Sequence, residues 1–136
     1  MKKVLILCTG NSCRSIMAEG LVNKYLFSKG VKAFSAGSRP TGFIVDNVQK
    51  ILEQEGAWSD KFYSKSIDEV NKFAPFDLVV TVCDSAQRVC PNYQNTKKQI
   101  HFGIEDPFLG SFEKFEETRD IIKEQLIPII KQELAL

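Results

Sequence analysis

Apolar positions along the chain follow two alternating rhythms. Val4-Leu5-Ile6-Leu7 is a short unbroken apolar run ending at Thr9-Gly10, the pattern of a strand buried on both faces. From Ser15 to Lys29, Met17, Ala18, Leu21, Val22, Tyr25 and Leu26 recur at helical spacing, with Ser15 placed to cap the start. A second strand is predicted over Ala33–Ala36, ahead of Gly37. After Pro40-Thr41-Gly42 comes a helix over Val45–Glu55 that Gly56 stops. Ser66–Phe73 reads as a short helix broken by Pro75, and Asp77-Leu78-Val79-Val80-Thr81-Val82 is the strongest strand signal in the chain. Gln99–Gly103 is the fourth strand. From Ser111 the pattern is helical, with Phe112, Phe115, Ile122, Leu126, Ile129 and Ile130 on one face and a late kink at Pro128. Strand and helix alternate, which predicts an α/β fold: one domain over residues 1–136, a four-stranded parallel sheet with helices on both faces. Ligands of such folds sit beyond the carboxyl ends of the strands.

Composition narrows the partners. Eighteen Lys plus Arg against 17 Asp plus Glu leave a formal charge of +1 over 136 residues, which offers no basic footprint for nucleic acid and no polybasic membrane patch. Apolar residues at 43% and charged residues at 26% are ordinary for a globular chain of one domain. A chain of this length buries roughly two thirds of its unfolded surface, so it needs no covalent staple to fold. The opening Met1-Lys2-Lys3 followed by Val4–Leu7 is too short for the roughly 7–15-residue apolar region of a signal peptide, and Leu7 before Cys8 is not small. The expectation is a cytoplasmic monomer with no membrane span.

Four cysteines, Cys8, Cys13, Cys83 and Cys90, are spaced C-x4-C and C-x6-C. Neither spacing is the C-x2-C of common zinc sites, and the single histidine, His101, lies in a predicted strand, where it reads as structural. A disulfide framework belongs to small secreted chains. Catalysis or plain burial remain.

Cys8-Thr9-Gly10-Asn11-Ser12-Cys13-Arg14-Ser15 lies directly between the first strand and the first helix. Cys-x5-Arg alone is a weak motif, and its position makes it specific. A short loop at a helix N-terminus aims several backbone N–H groups at one point, with the helix dipole behind them. Gly10 and Asn11 both tolerate the positive φ such a cradle requires. Arg14 brings a forked, permanently charged donor for two oxygens of a tetrahedral oxyanion. The same donors would stabilise a thiolate at Cys8, the nucleophilic form of a cysteine. The plainer reading is a buried cysteine that ends a strand. Cys13 is a packed small hydrophobe or a back-up disulfide partner, with packing favoured.

The segment Cys8–Ser15 after an N-terminal strand resembles the phosphate-binding loop of the low-molecular-weight tyrosine phosphatase superfamily. More narrowly it is similar to the thioredoxin-coupled arsenate reductases that share that fold. The resemblance continues through Met17-Ala18-Glu19-Gly20, Ser35-Ala36-Gly37 and Asp77-Leu78-Val79-Val80-Thr81. It implies an oxyanion held by Thr9, Gly10, Asn11, Ser12, Cys13, Arg14 and Ser15.

Val82-Cys83-Asp84-Ser85-Ala86-Gln87-Arg88-Val89-Cys90-Pro91 separates the two branches. Cys83 closes the strong strand and so stands on the same sheet edge as Cys8. Two buried cysteines on a short helix would be the ordinary alternative. Seven residues of helix rise about 10.5 Å, whereas a disulfide needs Cα atoms within about 7 Å. A Cys83–Cys90 bridge therefore requires the segment to unwind, which suits a redox switch better than a static staple. The resemblance implies a relay in which Cys8 attacks arsenate, Cys83 attacks Cys8, and Cys90 attacks Cys83. External thioredoxin would then reduce the product disulfide, and no resident cofactor is needed. The alternative is a phosphotyrosine phosphatase using only Cys8, Arg14 and Asp106. A non-catalytic oxyanion-binding or redox-sensing module is a third reading.

Asp106, in Gly103-Ile104-Glu105-Asp106-Pro107, follows the fourth strand at the loop where the family it resembles keeps its acid. It would protonate a leaving oxygen or help to deprotonate an attacking thiol. An Asp before Pro is also an ordinary turn former. Phe108 follows, but Leu109-Gly110 leaves a phosphotyrosine clamp incomplete. Asn11, Glu19 and Ser35 match positions where some of these reductases bind potassium. The remaining acidic ligand would fall near Tyr63-Ser64-Lys65-Ser66, where the chain has Lys65. Its ammonium can replace the ion, so no metal is expected.

Overall fold

The structure is a computed structural model that describes residues 1–83 and 93–136. Four strands form one parallel sheet: β1 (Lys2–Cys8), β2 (Val31–Gly37), β3 (Leu78–Cys83) and β4 (Gln99–Ile104), in the order β2-β1-β3-β4. β1 and β3 are central. Val4 to Leu7 and Leu78 to Val80 are fully buried, which is why both segments read as continuous apolar runs rather than alternating ones.

Side chains on β1 alternate between two cores. Val4, Ile6 and Cys8 pack with α1 (Arg14–Leu26), α2 (Asp46–Gln54), α4 (Phe112–Ile121) and α5 (Ile127–Glu133). Leu5 and Leu7 face the opposite way, toward Val79, Phe76 and Val70 of the short helix α3 (Ile67–Val70). Helices thus cover both faces.

Element ends follow local chemistry. Gly56 adopts φ +68° and closes α2 with paired hydrogen bonds, its own N–H to the Glu53 carbonyl and that of Ala57 to the Leu52 carbonyl. Ser66 caps α3 in a reciprocal box with Glu69. Ser15 does not cap α1: the helix starts at Arg14, with Cys13 at the capping position and no side-chain cap. Just ahead of Pro128, where a kink is expected, lies a wide turn, Ile122–Leu126, in which the Ile127 N–H reaches back to the Ile122 carbonyl. Pro128 has no N–H to offer and its ring needs space from the preceding turn, and the wide turn meets both demands. Ile127 consequently joins the core, whereas Ile129 is only partly buried. Among the described residues, no helix is long and apolar enough to cross a membrane.

Candidate active site

β1 and β3 pair directly, with Leu7 opposite Thr81, so Cys8 and Cys83 end adjacent strands on one sheet edge. Strand order reverses between these two strands, which is where open α/β sheets place their ligands. Cys8 and Cys83 are both buried, and the Thr9 hydroxyl lies 3.5 Å from the Cys83 sulfur. Cys8 and Cys13 are free thiols, while Cys83 is disulfide-bonded. Cys90 lies outside the described residues.

The loop from Cys8 to Ser15 is held open by its surroundings. Its carbonyls are drawn outward: those of Cys8, Thr9, Gly10 and Ser12 accept N–H groups of Ser38, Arg39, Thr41 and Val45, and the Ser64 hydroxyl also donates to Gly10. With the carbonyls engaged outside, the amides are the groups left to meet an anion at the start of α1. Asn11 takes the positive φ, +47°. Gly10 does not, contrary to expectation; a Cβ there would stand 3.2 Å from the Thr41 methyl group, so closeness rather than φ favours glycine.

Arg14 is the first residue of α1 and reaches across to the end of β4. Its Nη1 donates to the Ile104 carbonyl at 3.1 Å, and its Nη2 lies 3.6 Å from Asp106 Oδ2. The guanidinium is therefore pinned over the sheet edge while its charge stays at the mouth of the loop.

A family model described as low molecular weight phosphotyrosine protein phosphatase matches residues 3–135. The chain belongs to that family. An arsenate reductase of Bacillus cereus (strain 03BB102) is 36% identical over 125 residues, covering 92% of this chain and 91% of the relative. An arsenate reductase solved in a phosphate binding state superposes with a TM-score of 0.81 at 27% identity, covering 97% of this chain and 98% of its own. The thioredoxin-dependent arsenate reductase Cg_ArsC1' of Corynebacterium glutamicum gives 0.69 at 28% identity, covering 95% of this chain and 63% of its own.

Beneath the low-molecular-weight phosphatase loop lies a buried polar network. Asn11 Nδ2 donates to Ser15 Oγ at 2.8 Å and to Ser35 Oγ at 3.0 Å, and Asn11 Oδ1 accepts the Lys65 N–H at 2.9 Å. Ser35 donates to Glu19 Oε1, and Lys65 Nζ lies 3.6 Å from that oxygen while donating to Ser35 Oγ and the Tyr63 carbonyl. Burial pushes the Glu19 carboxyl above its ordinary value, against the opposing pull of the Lys65 ammonium. Asn11, Glu19, Ser35 and Lys65 thus meet, with the ammonium among them. Among the described residues no cluster suited to a metal ion is found.

Burial, reinforced by the Asp106 charge, drives the Cys13 thiol far up, which agrees with packing rather than chemistry. Asp106 is 44% exposed at its side chain and accepts the Phe108 N–H at 3.0 Å, so it forms the expected turn and also faces Arg14. Phe108 is half-exposed and Leu109 almost wholly so. His101 is tied to Thr81 through Nδ1 at 2.7 Å.

The pattern gave no role to Ser64 or to Gly37. A Cβ on Gly37 would meet the Thr9 carbonyl oxygen, so the end of β2 presses on the loop. A glycine at the predicted end of a strand, Ser35-Ala36-Gly37, was the available signal.

Proposed function

We propose that this chain, by homology an arsenate reductase of the low-molecular-weight phosphatase family, works through a three-cysteine relay recycled by thioredoxin. The single observation that carries the reading is the placement of Cys83 at the end of the strand beside that of Cys8, with the hydroxyl of Thr9, the residue after Cys8, 3.5 Å from the Cys83 sulfur. A phosphatase needs no sulfur there.

Arsenate is held by the amides of the loop from Thr9 to Ser15, with Arg14 across two of its oxygens. The Cys8 thiolate attacks arsenic and an oxygen leaves as water, giving a Cys8–arsenic bond. Cys83 then attacks the Cys8 sulfur. The sulfur–arsenic bond breaks with its electron pair going to arsenic, which leaves as arsenite, and two thiols have become one Cys8–Cys83 disulfide. Cys90 attacks the Cys83 sulfur next, which frees Cys8 and forms Cys83–Cys90. A dithiol of the thioredoxin class reduces that bond, by analogy with the thioredoxin-dependent relative of Corynebacterium glutamicum. Asp106 stands 3.6 Å from Arg14, where it can take or give the protons these steps move. No metal or resident cofactor is called for.

The test is a count of free thiols in the fully reduced protein, before and after arsenate, with no external reductant. Loss of two thiols with arsenite released supports the relay, and retention of all four overturns it. Cys90→Ser should stop after one turnover with the Cys8–Cys83 bond in place.

The phosphatase reading has one supporting observation, the Arg14–Asp106 pair, which would serve phosphomonoester hydrolysis equally. It is distinguished by Cys83→Ser. A phosphatase would keep its activity, and the reductase would lose arsenate turnover.

A further inference from the structure

Beside α1, away from Cys8 and Arg14, lies an open groove of about 460 Å³ whose lining includes Trp58 and Phe62. That volume falls within the roughly 300–1,000 Å³ of small-molecule sites. The two rings meet edge to face, with centroids 5.4 Å apart at 90°, and the indole N–H is anchored on Asp60 Oδ1 at 3.0 Å. Asp60 itself does not line the groove.

Charge in the groove is lopsided. Glu19 is the one carboxylate among the lining residues, and Lys65 already neutralises it at the floor. Lys32 stands over the Phe34 ring. Lys24 and Lys61 remain. Among the described residues neither ammonium is in an ion pair. Lys24 Nζ is drawn in against Gly56, where an added Cβ would stand 3.2 Å away. Two uncompensated cations beside an aromatic wall attract a negative charge carried on a flat apolar body.

We propose that this groove binds a small aromatic carboxylate. The carboxylate sits between Lys24 and Lys61, and the ring lies against Trp58 and Phe62.

Trp58 is the single tryptophan of the chain, so one indole N–H signal in a ¹⁵N-correlated NMR spectrum reports the site. Naphthalene-2-carboxylate would be titrated into the full-length protein with the catalytic loop saturated by inorganic phosphate, alongside the neutral naphthalene-2-carboxamide. A saturable shift of the indole signal is expected with the acid, with the amide binding at least tenfold more weakly. The double variant Lys24→Gln/Lys61→Gln should weaken the acid at least tenfold. Lys50→Gln, an exposed lysine outside the groove, should leave binding unchanged. Equal response to acid and amide, a shift that does not saturate, or undiminished binding by the double variant would overturn the proposal. So would loss of the shift when phosphate is added, which would place the anion in the catalytic loop instead.

Discussion

A Cβ on Gly37 would stand 2.5 Å from the Thr9 carbonyl oxygen and 3.0 Å from Asn11 Cβ, so β2 and the loop from Cys8 to Ser15 are in close contact. Neither neighbour is a flexible side-chain end that could swing aside. Gly37→Ala should therefore cost about 1–3 kcal/mol in urea unfolding, the range of overpacking in a tight core. Phosphate affinity by calorimetry should fall at least tenfold. Wild-type affinity in a folded variant would show that β2 does not shape the loop.

Lys65 and Glu19 are a buried pair, each about one tenth exposed at the side chain. Lys65→Met strands the carboxylate, a change that typically costs about 3–5 kcal/mol. Adding Glu19→Gln should recover part of that loss, so a double-mutant cycle should show clear coupling. Because the ammonium already occupies the network, arsenate turnover by the wild-type protein should be the same in potassium and in tetramethylammonium salts. Activation by potassium would contradict this.

Cys13 should be chemically silent. Burial and the Asp106 charge keep its thiol protonated at neutral pH. In the reduced protein at pH 8, iodoacetamide should label Cys8 well before Cys13, as read by peptide mass spectrometry. Cys13→Ala should retain arsenate turnover within about threefold of wild type, since the thiolate is the reactive form. Early labelling of Cys13 would point to a second reactive thiol.

Glu55 ties three helices together. It accepts the Tyr25 hydroxyl at 2.7 Å and Lys123 Nζ at 3.1 Å, with Arg119 3.8 Å away. The Tyr25 hydrogen bond, outweighing burial and aided by Lys123, holds its carboxyl below the ordinary 4.5. A depressed acid stabilises the fold above its unfolded value and loses that contribution as pH falls through the folded value. Glu55→Gln should therefore lower stability by about 1–2 kcal/mol at pH 7. The gap from wild type should narrow below pH 4.5, as followed by thermal melts across pH.

The strands were legible in the sequence because β1 and β3 are buried on both faces, which leaves unbroken apolar runs. Cys8 to Arg14 was equally legible, since a loop between strand and helix is a local feature. Helix ends are less legible. Ser15 looks like a cap, but its hydroxyl is turned inward to accept from Asn11, a long-range choice no local pattern reveals. The partners of the loop carbonyls come from residues 38–45 and 64, and they depend on packing rather than spacing. The wide turn before Pro128 shifted which isoleucine entered the core.

Arg14 is held by the Ile104 carbonyl, ninety positions further along the chain. The anion cradle is therefore not a portable eight-residue motif. A nascent chain that has emerged only as far as β3 already contains Cys8, Cys83 and the whole loop, yet lacks the acceptor that aims the guanidinium. On the proposed function, oxyanion capture waits for the fourth strand to dock, so a truncation that ends before β4 should yield a polypeptide with no phosphate affinity.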